Sequence, residues 1–466
     1  MNLTACLLAI ALGSQAPNSE ALQAQQKGSV PRTLQEKLSE SVSVKDFGAC
    51  GDGVCDDSLA FDRAVKSGAG RIRIPVGSYR LTKPLDLTNI QAGPLILFGD
   101  GWSSAGAGSS LVCDTGTVCI DVSGSAYATI EDLAIDPGRS KPSTVGLLFA
   151  RSAVGRYSSF NGLRNVRIHL PHNPTANGGA GTVGIYDDAS ENWKYQGGLV
   201  YADIPLVFTA SNIYGIQSSH TSVLNGYTSM SVVELSGSVG LVAYGGPAIK
   251  VAGAANLHLG NTYMLSAPGN TFEFAMAIDS TEGLEYSGSV ESFHRLVITT
   301  SRLEGLVLGT RIVPVAGKSL IELDGTQGRC CAGLWKSDIR LQMGAGSDSV
   351  HDLVHSQGPA VSGVAESFLA LQPKETLTIA SGEVDYNIIQ TPNALSSINL
   401  PNGTGKSNVI LASDGISVGA SATFAGPVQS RAGFVVNGAA GATASGKSCS
   451  VTAVTGGIVT GVACLH

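Results

Sequence analysis

Two stretches of this chain gather carboxylates beside aromatic rings. That is the material for splitting a glycosidic bond, which needs one protonated and one ionised carboxyl group about 5 to 9 Å apart. Residues 186–195 break the surrounding β pattern with Asp187, Asp188 and Glu191 next to Trp193 and Tyr195, and Trp193 is one of three tryptophans. Flat sugar faces stack on such rings, and a polar loop on a rigid scaffold is where binding groups usually sit. The competing reading is an ordinary solvated turn. In residues 272–286, Phe272, Phe274, Met276 and Ile278 alternate inward, which leaves Glu273 and Asp279 outward. Those two acids would be about 20 Å apart on a straight strand, so each needs a partner from a neighbouring strand. Asp203, Glu234, Glu282, Glu285, Glu291 and Glu304 form the available pool. Asp187, Asp188, Glu234, Glu273 and Asp279 are thus the candidate catalytic carboxylates, with Trp193 and Tyr195 as candidate sugar platforms. An acid beside an aromatic ring keeps its proton more readily, because desolvation disfavours the charge.

Other chemistries find little support. The histidines at 169, 172, 220, 258, 294, 351 and 355 have no metal-ligand spacing, and no cysteine pair has the Cys-x-x-Cys spacing of a zinc or redox site. No P-loop, dinucleotide fingerprint or Gly-x-Ser-x-Gly elbow is present. No metal or cofactor is therefore expected. A β-elimination would need a basic proton acceptor beside a cation, for which Lys194, Lys250 and Arg302 are the conceivable groups. With 29 Lys+Arg against 36 Asp+Glu the chain has no basic footprint for nucleic acid, and a polar, uncharged ligand fits better.

The elements that must hold these residues are β-rich. Of 466 residues 59 are glycine, nearly twice the usual ~7%, without a collagen period. Only 14% are charged. Such a composition favours many short strands joined by tight turns over long solvated helices. From about residue 44 to 343 short β runs are broken by Gly, Ser, Asn and Asp, compatible with coils of roughly 20 to 25 residues stacked in a solenoid. On such a scaffold outward side chains at i and i+2 lie about 6.6 Å apart, and equivalent positions on adjacent coils about 4.8 Å apart. Carboxylate pairs therefore arise easily, and most would be inert.

The flanks differ in texture. Residues 1–30 form a leader in which an apolar run precedes small residues without a basic start, readable as a weak secretory signal or as an unstructured leader. No run is long enough for a membrane-spanning helix. In the neck, residues 31–43, Leu34, Leu38 and Val42 recur at i, i+4, i+8, a single stripe that cannot bury itself alone. Val42, Val44 and Phe47 read as a short strand, Gly51-Asp52-Gly53 as a tight turn, and Asp56 or Asp57 as the N-cap of a one-sided helix over 57–67. Ile72 and Ile74 then point inward, with Arg71 and Arg73 outward. Residues 344–400 read as a linker with a few strands, and 401–466 as a Gly-rich β region for trimerisation or binding. Cysteines fall in near-neighbour groups, Cys50 with Cys55, Cys113 with Cys119, Cys330 with Cys331 and Cys449 with Cys464, leaving Cys6. They are either local disulfides or small buried hydrophobes.

Residues 44–79 resemble the opening of the pectate-lyase-like parallel β-helix superfamily, as it occurs in phage tailspikes and exopolysaccharide-degrading enzymes. The residues that carry the resemblance are Val44-Lys-Asp-Phe-Gly-Ala49, Gly51-Asp-Gly53, Asp56-Asp-Ser58, Ala60-Phe61 and Ile72-x-Ile74-Pro75-x-Gly77-x-Tyr79. Cys50 and Cys55 depart from that pattern. Arg32-Thr-Leu-Gln-x-Lys37-Leu38 resembles the neck of phage tail proteins, and Gly433-Phe-Val-Val-Asn-Gly438 and Gly456-Gly-Ile-Val-Thr460 resemble tail-fibre ends. The resemblance implies an all-β, right-handed parallel β-helix with an N-terminal capping helix and a small C-terminal β region. It further implies a homotrimer on a virion tail or outside the cell, cleaving glycosidic bonds of a bacterial capsule, lipopolysaccharide or exopolysaccharide as a glycoside hydrolase. A non-catalytic receptor-binding fibre and a secreted polysaccharide lyase are the alternatives.

Overall fold

The structure is a computed structural model. It describes residues 28–413 apart from 92, 104–106, 189, 210–232, 270–271, 314–318, 327–331, 345–351, 380–381, 395–396 and 401–407, and the backbone of short strands at 21–22, 415–418, 435–436, 439–440, 448–455 and 458–465. Most of the leader (1–20 and 23–27), with Cys6, and Cys330, Cys331, His220 and His351 lie outside the described residues.

The inward side chains explain the architecture. Ile72 sits in register over Leu97, Leu97 over Ile130, Ile130 over Leu163, and Leu163 over Tyr195. The row continues through Leu235, Leu259, Tyr286, Leu308, Ile339, Leu369 and Ile389 to Ile410. Every member is buried. A β-branched or leucyl side chain stacked on its like about 4.8 Å below excludes water on both sides, and the backbone ladder holds the spacing. The ladder within this body is parallel throughout until its last hairpin. The result is a parallel β-helix, right-handed as parallel crossovers are.

Coils vary more than their expected 20 to 25 residues. Leu369 and Ile389 obey that spacing, whereas Leu97 and Ile130, or Leu308 and Ile339, enclose longer excursions. Corners are satisfied by buried amides. Asn161 donates to Ser125 O (3.0 Å) and accepts from Ala128 N (2.9 Å); farther along, Asn387 donates to Asn408 Oδ1 (3.0 Å), and Asn408 Nδ2 donates to Val384 O (2.6 Å). These bonds keep polar backbone from being stranded where strands stop.

The N-terminal end is closed by the helix Ser58–Lys66, which buries Ala60, Phe61 and Ala64 and sets Phe61 edge-on to Tyr79 at 5.6 Å. Covering the first coil removes an open sheet edge. Asp57 occupies the N-cap position, but its carboxylate turns to the backbone N–H groups of Cys50 (2.6 Å) and Gly51 (3.3 Å). Cys50–Cys55 and Cys113–Cys119 are disulfides, so both pairs are cross-links rather than free buried thiols. Cys449 and Cys464 oppose each other in the backbone register of a hairpin.

Three expectations change. The neck is helical only over Leu34–Leu38, closed by a capping box between Thr33 and Glu36, because the following residues turn into the strand Val42–Ser43. Val44 and Phe47 lie in a 3-10 turn, Val44–Phe47, not in a strand. And Met343 does not end the solenoid: Asp352–Gln357 pairs with Ile321–Asp324, Val361–Ala365 with Ala332–Trp335, and the row reaches Val409–Ala412 before Gly415–Val418 folds back antiparallel. The stretch read as a linker supplies further coils, because Leu353, Val354, Val364, Leu369 and Leu377 still alternate inward. Among the described residues no helix is long and apolar enough to cross a membrane.

One buried acid in these late coils makes stability depend on pH. Glu375 is 1% exposed and takes only the Gln372 N–H on one oxygen (2.6 Å), and burial pushes its pKa up from 4.5 to about 7. The folded chain holds this proton where the unfolded chain has released it, so the contribution is intact below about pH 4.5 and is lost as pH rises toward about 7. The loss is at most about 3 kcal/mol. Melting temperature should fall over that window in the wild type and fall less in Glu375→Gln; parallel curves for the two proteins would count against it.

Candidate functional site

The polar stretch 186–195 is not a surface loop. Val183–Asp188 and Trp193–Ala202 are strands, and only a short turn through Asn192, at φ 51°, separates them. Trp193 is fully buried inside the solenoid, stacked on Phe149 (4.9 Å between centroids) and Phe208 (6.1 Å). Its indole N–H donates to Asp187 Oδ2 at 2.7 Å, and Ser190 N donates to Asp187 Oδ1 at 3.0 Å. Asp187 is itself 1% exposed, and burial pushes its carboxyl up to about 6 against those two donors. Tyr195 belongs to the inward row and donates to Val166 O at 2.6 Å. Trp193 and Tyr195 are thus core members and not sugar platforms. Phe149 and Phe208, in register with Asp187 on the coils to either side, were the signal that this position faces inward.

The remaining acids are scattered over different faces. Asp188 is buried at the strand end. Glu234 points outward and binds Lys194 Nζ at 2.6 Å, next to a His258–Glu285 pair at 3.1 Å on the following coils. Asp279 accepts from Thr300 Oγ1 at 2.9 Å. Glu273 lies 3.1 Å from Arg295, whose other arm reaches buried Glu322 at 2.5 Å, and Ser319 (2.8 Å) and His355 (3.1 Å) complete that cluster. No register places two of the five predicted carboxylates on adjacent coils. They do not form one site.

What the fold does assemble is a groove of about 740 Å³ on one outer face. One row of positions runs along it, Leu199–Gly240–Tyr263–Ser289–Arg311, one residue per coil, and Arg167 precedes it in register just outside the lining. Three bulges, after Gln196, Leu235 and Leu259, bend the strands here and give the face its concavity. The floor is glycine by necessity: a Cβ on Gly288 (φ 152°) would sit 1.8 Å from Thr262 O, and one on Gly198 (φ 139°) 2.3 Å from Val166 O. By register Trp102 and Asn165 stand at one end and Arg311 at the other, with Ser238, Asn261, Thr262, Tyr263 and Ser289 between. No carboxylate is among these lining residues. Two acids border the groove: Asp132 accepts from Asn165 Nδ2 at 2.7 Å, and Glu291, two positions beyond Ser289 on the same strand, accepts from Tyr263 Oη at 3.2 Å. Burial and that negative neighbour hold the Tyr263 phenol above its usual pKa. Neutral amides and hydroxyls, two rings and one cation form a surface suited to a polyhydroxylated chain.

At the cap, Cys50, Cys55 and Asp57 bring three ligand-type atoms within 4.8 Å of one another. With the sulfurs bonded to each other and the carboxylate held by backbone N–H groups, the trio acts as a staple. The placement of Trp193 gives a direct test. Trp193→Ala should cost about 3 to 5 kcal/mol of stability. Read as a lowered denaturant midpoint, this loss should come without weaker polysaccharide binding by the folded protein; a binding loss at unchanged midpoint would restore the platform role.

Residues 41–129 match the family described as rhamnogalacturonase A/epimerase, pectate lyase-like. Among curated proteins no match was found. Among solved structures the chain is similar to a double mutant of the tailspike protein of E. coli bacteriophage HK620, at 11% identity over 84% of each chain with a TM-score of 0.45. It is similar also to the A-module of the Azotobacter vinelandii mannuronan C-5 epimerase AlgE4, at 14% identity over 83% of this chain and 98% of that one, TM-score 0.41. A third similar structure is the ORF18 protein of Geobacillus virus E2, at 13% identity over 80% of this chain but 61% of that one, TM-score 0.32. The helix-capped first coils thus coincide with the stretch, residues 41–129, over which the chain is similar to the rhamnogalacturonase A/epimerase, pectate-lyase-like family.

Proposed function

We propose that this protein acts on a bacterial surface polysaccharide, whether capsule, lipopolysaccharide or exopolysaccharide, laid along the groove, and cleaves its glycosidic bonds. The observation that carries the reading is the groove itself: an open trough crossing successive coils, floored by backbone and lined by amides, hydroxyls and rings. An extended polymer matches such a trough better than a compact metabolite, which would favour an enclosed pocket. Glu291 is the acid best placed to serve cleavage, as it borders the groove and is oriented by the Tyr263 hydroxyl. The originally expected acids contribute less: Asp187 is internal, and Glu234 and Glu273 are paired with cations on other faces.

A second reading, binding without cleavage as in a receptor-binding fibre, is favoured by one feature. The described lining holds no carboxylate to pair with Glu291, and Asp132 stands at the opposite end, whereas a hydrolase needs two acids close together. Purified capsular and O-antigen polysaccharides incubated with the protein separate these readings. Cleavage predicts new reducing ends, reduced at least about a hundredfold in Glu291→Gln; an absorbing unsaturated uronate would instead mark a lyase. Binding without either product would establish the second reading, and no binding to any member of the panel would remove both.

A homotrimer on a virion tail or in the extracellular space is part of the proposal. Leu38 (60% exposed), Leu59 (57%) and Val54 (74%) leave apolar surface near the capped end that association would cover. Sedimentation at micromolar concentration should give three times the 47.6 kDa chain mass, and a monomer would count against it.

A further inference from the structure

The two ends of the groove differ, and the difference gives it a direction. Trp102 lines one end. Its indole N–H is taken by Asn165 O at 2.6 Å, so the ring is fixed in orientation and has no donor left to offer a ligand. Arg167 lies over the same ring at 5.7 Å and is itself held by Asp136 (2.5 Å) and Ser103 O (3.3 Å). Trp102 lines the groove, so part of its ring surface is open to it, while Arg167 rests over the ring without being among the lining residues. The opposite end carries Arg311, which has no ion pair among the described residues. By register the two arginines are five coils apart, about 24 Å at the spacing of stacked strands.

We propose that Trp102 is the terminal sugar subsite of the groove, a ring held in place to stack on the apolar C–H face of a pyranose. This rests on the polysaccharide-binding reading above and adds where the glycan is anchored and by what contact. A ring locked by its own hydrogen bond and backed by a cation loses little freedom on binding, which is the condition for an aromatic anchor to be effective. The ligand is then a glycan that presents one uninterrupted C–H face at this end. Trp193, enclosed in the core, and Trp335, which is not among the residues lining the groove, cannot compete for the role.

Calorimetric titration and tryptophan fluorescence with purified capsular polysaccharides, O-antigen polysaccharide and rhamnogalacturonan test it. The variants are Trp102→Ala, Trp102→Phe, Trp335→Phe and the groove-filling Ser289→Trp, with melting temperatures as a control for folding. Trp102→Ala should weaken binding about tenfold, and Trp102→Phe should bind nearly as wild type but lose the fluorescence change that ligand produces. Trp335→Phe should retain both. If Ser289→Trp abolishes binding while Trp102→Ala binds as tightly as wild type, the anchor is overturned and the groove stands. If neither variant alters binding, or no polysaccharide binds the wild type, the groove reading falls and the anchor with it.

Discussion

Stacking in register is the constraint on which everything else depends. Each coil must set its inward side chain over that of the coil before it, so the row from Ile72 to Ile410 fixes which residues on every strand can face solvent. A slip of one residue would exchange the two sides of a strand. The row tolerates substitution in kind, since tyrosines stand at 195 and 286 among leucines and isoleucines, provided the phenol finds a carbonyl: Val166 O for Tyr195 and Thr262 O for Tyr286. Loops between strands can lengthen freely, because they lie outside this rule.

Charge follows from the same geometry. Outward acids and bases a coil apart are brought within reach of one another, and Arg164–Glu131, Lys194–Glu234 and Arg295–Glu322 pair across the ladder. Such neighbours neutralise several of the acids along the ladder. Asp187 and Glu375 are different: they are enclosed, and desolvation rather than any charged neighbour sets their protonation. The groove is set apart by the scarcity of charge along it, with Arg311 inside and Asp132 and Glu291 at its borders.

Much of the fold could be read from the residues in order. Gly51 and Gly53 do take positive φ, Ile72 and Ile74 do point inward, and the one-sided helix does close the first coil. The acids and rings of 186–195 were misleading because a solenoid interior can hold a carboxylate if an indole N–H is aimed at it, so polarity alone does not mark a loop. The groove was harder still. Trp102, Asn165, Tyr263 and Arg311 are far apart along the chain and meet only because the ladder aligns their coils. Gly197-Gly198, Gly237 and Gly288 gave a trace of it, yet among 59 glycines nothing local distinguishes those that bend a strand from those that end one.

A floor made of main chain has an evolutionary consequence. Its curvature is set by bulges and by glycines that cannot accept a side chain, so the trough would persist while the residues along its rim drift. A lineage could then change the glycan it recognises by a handful of exchanges at the lip, without reinventing the container.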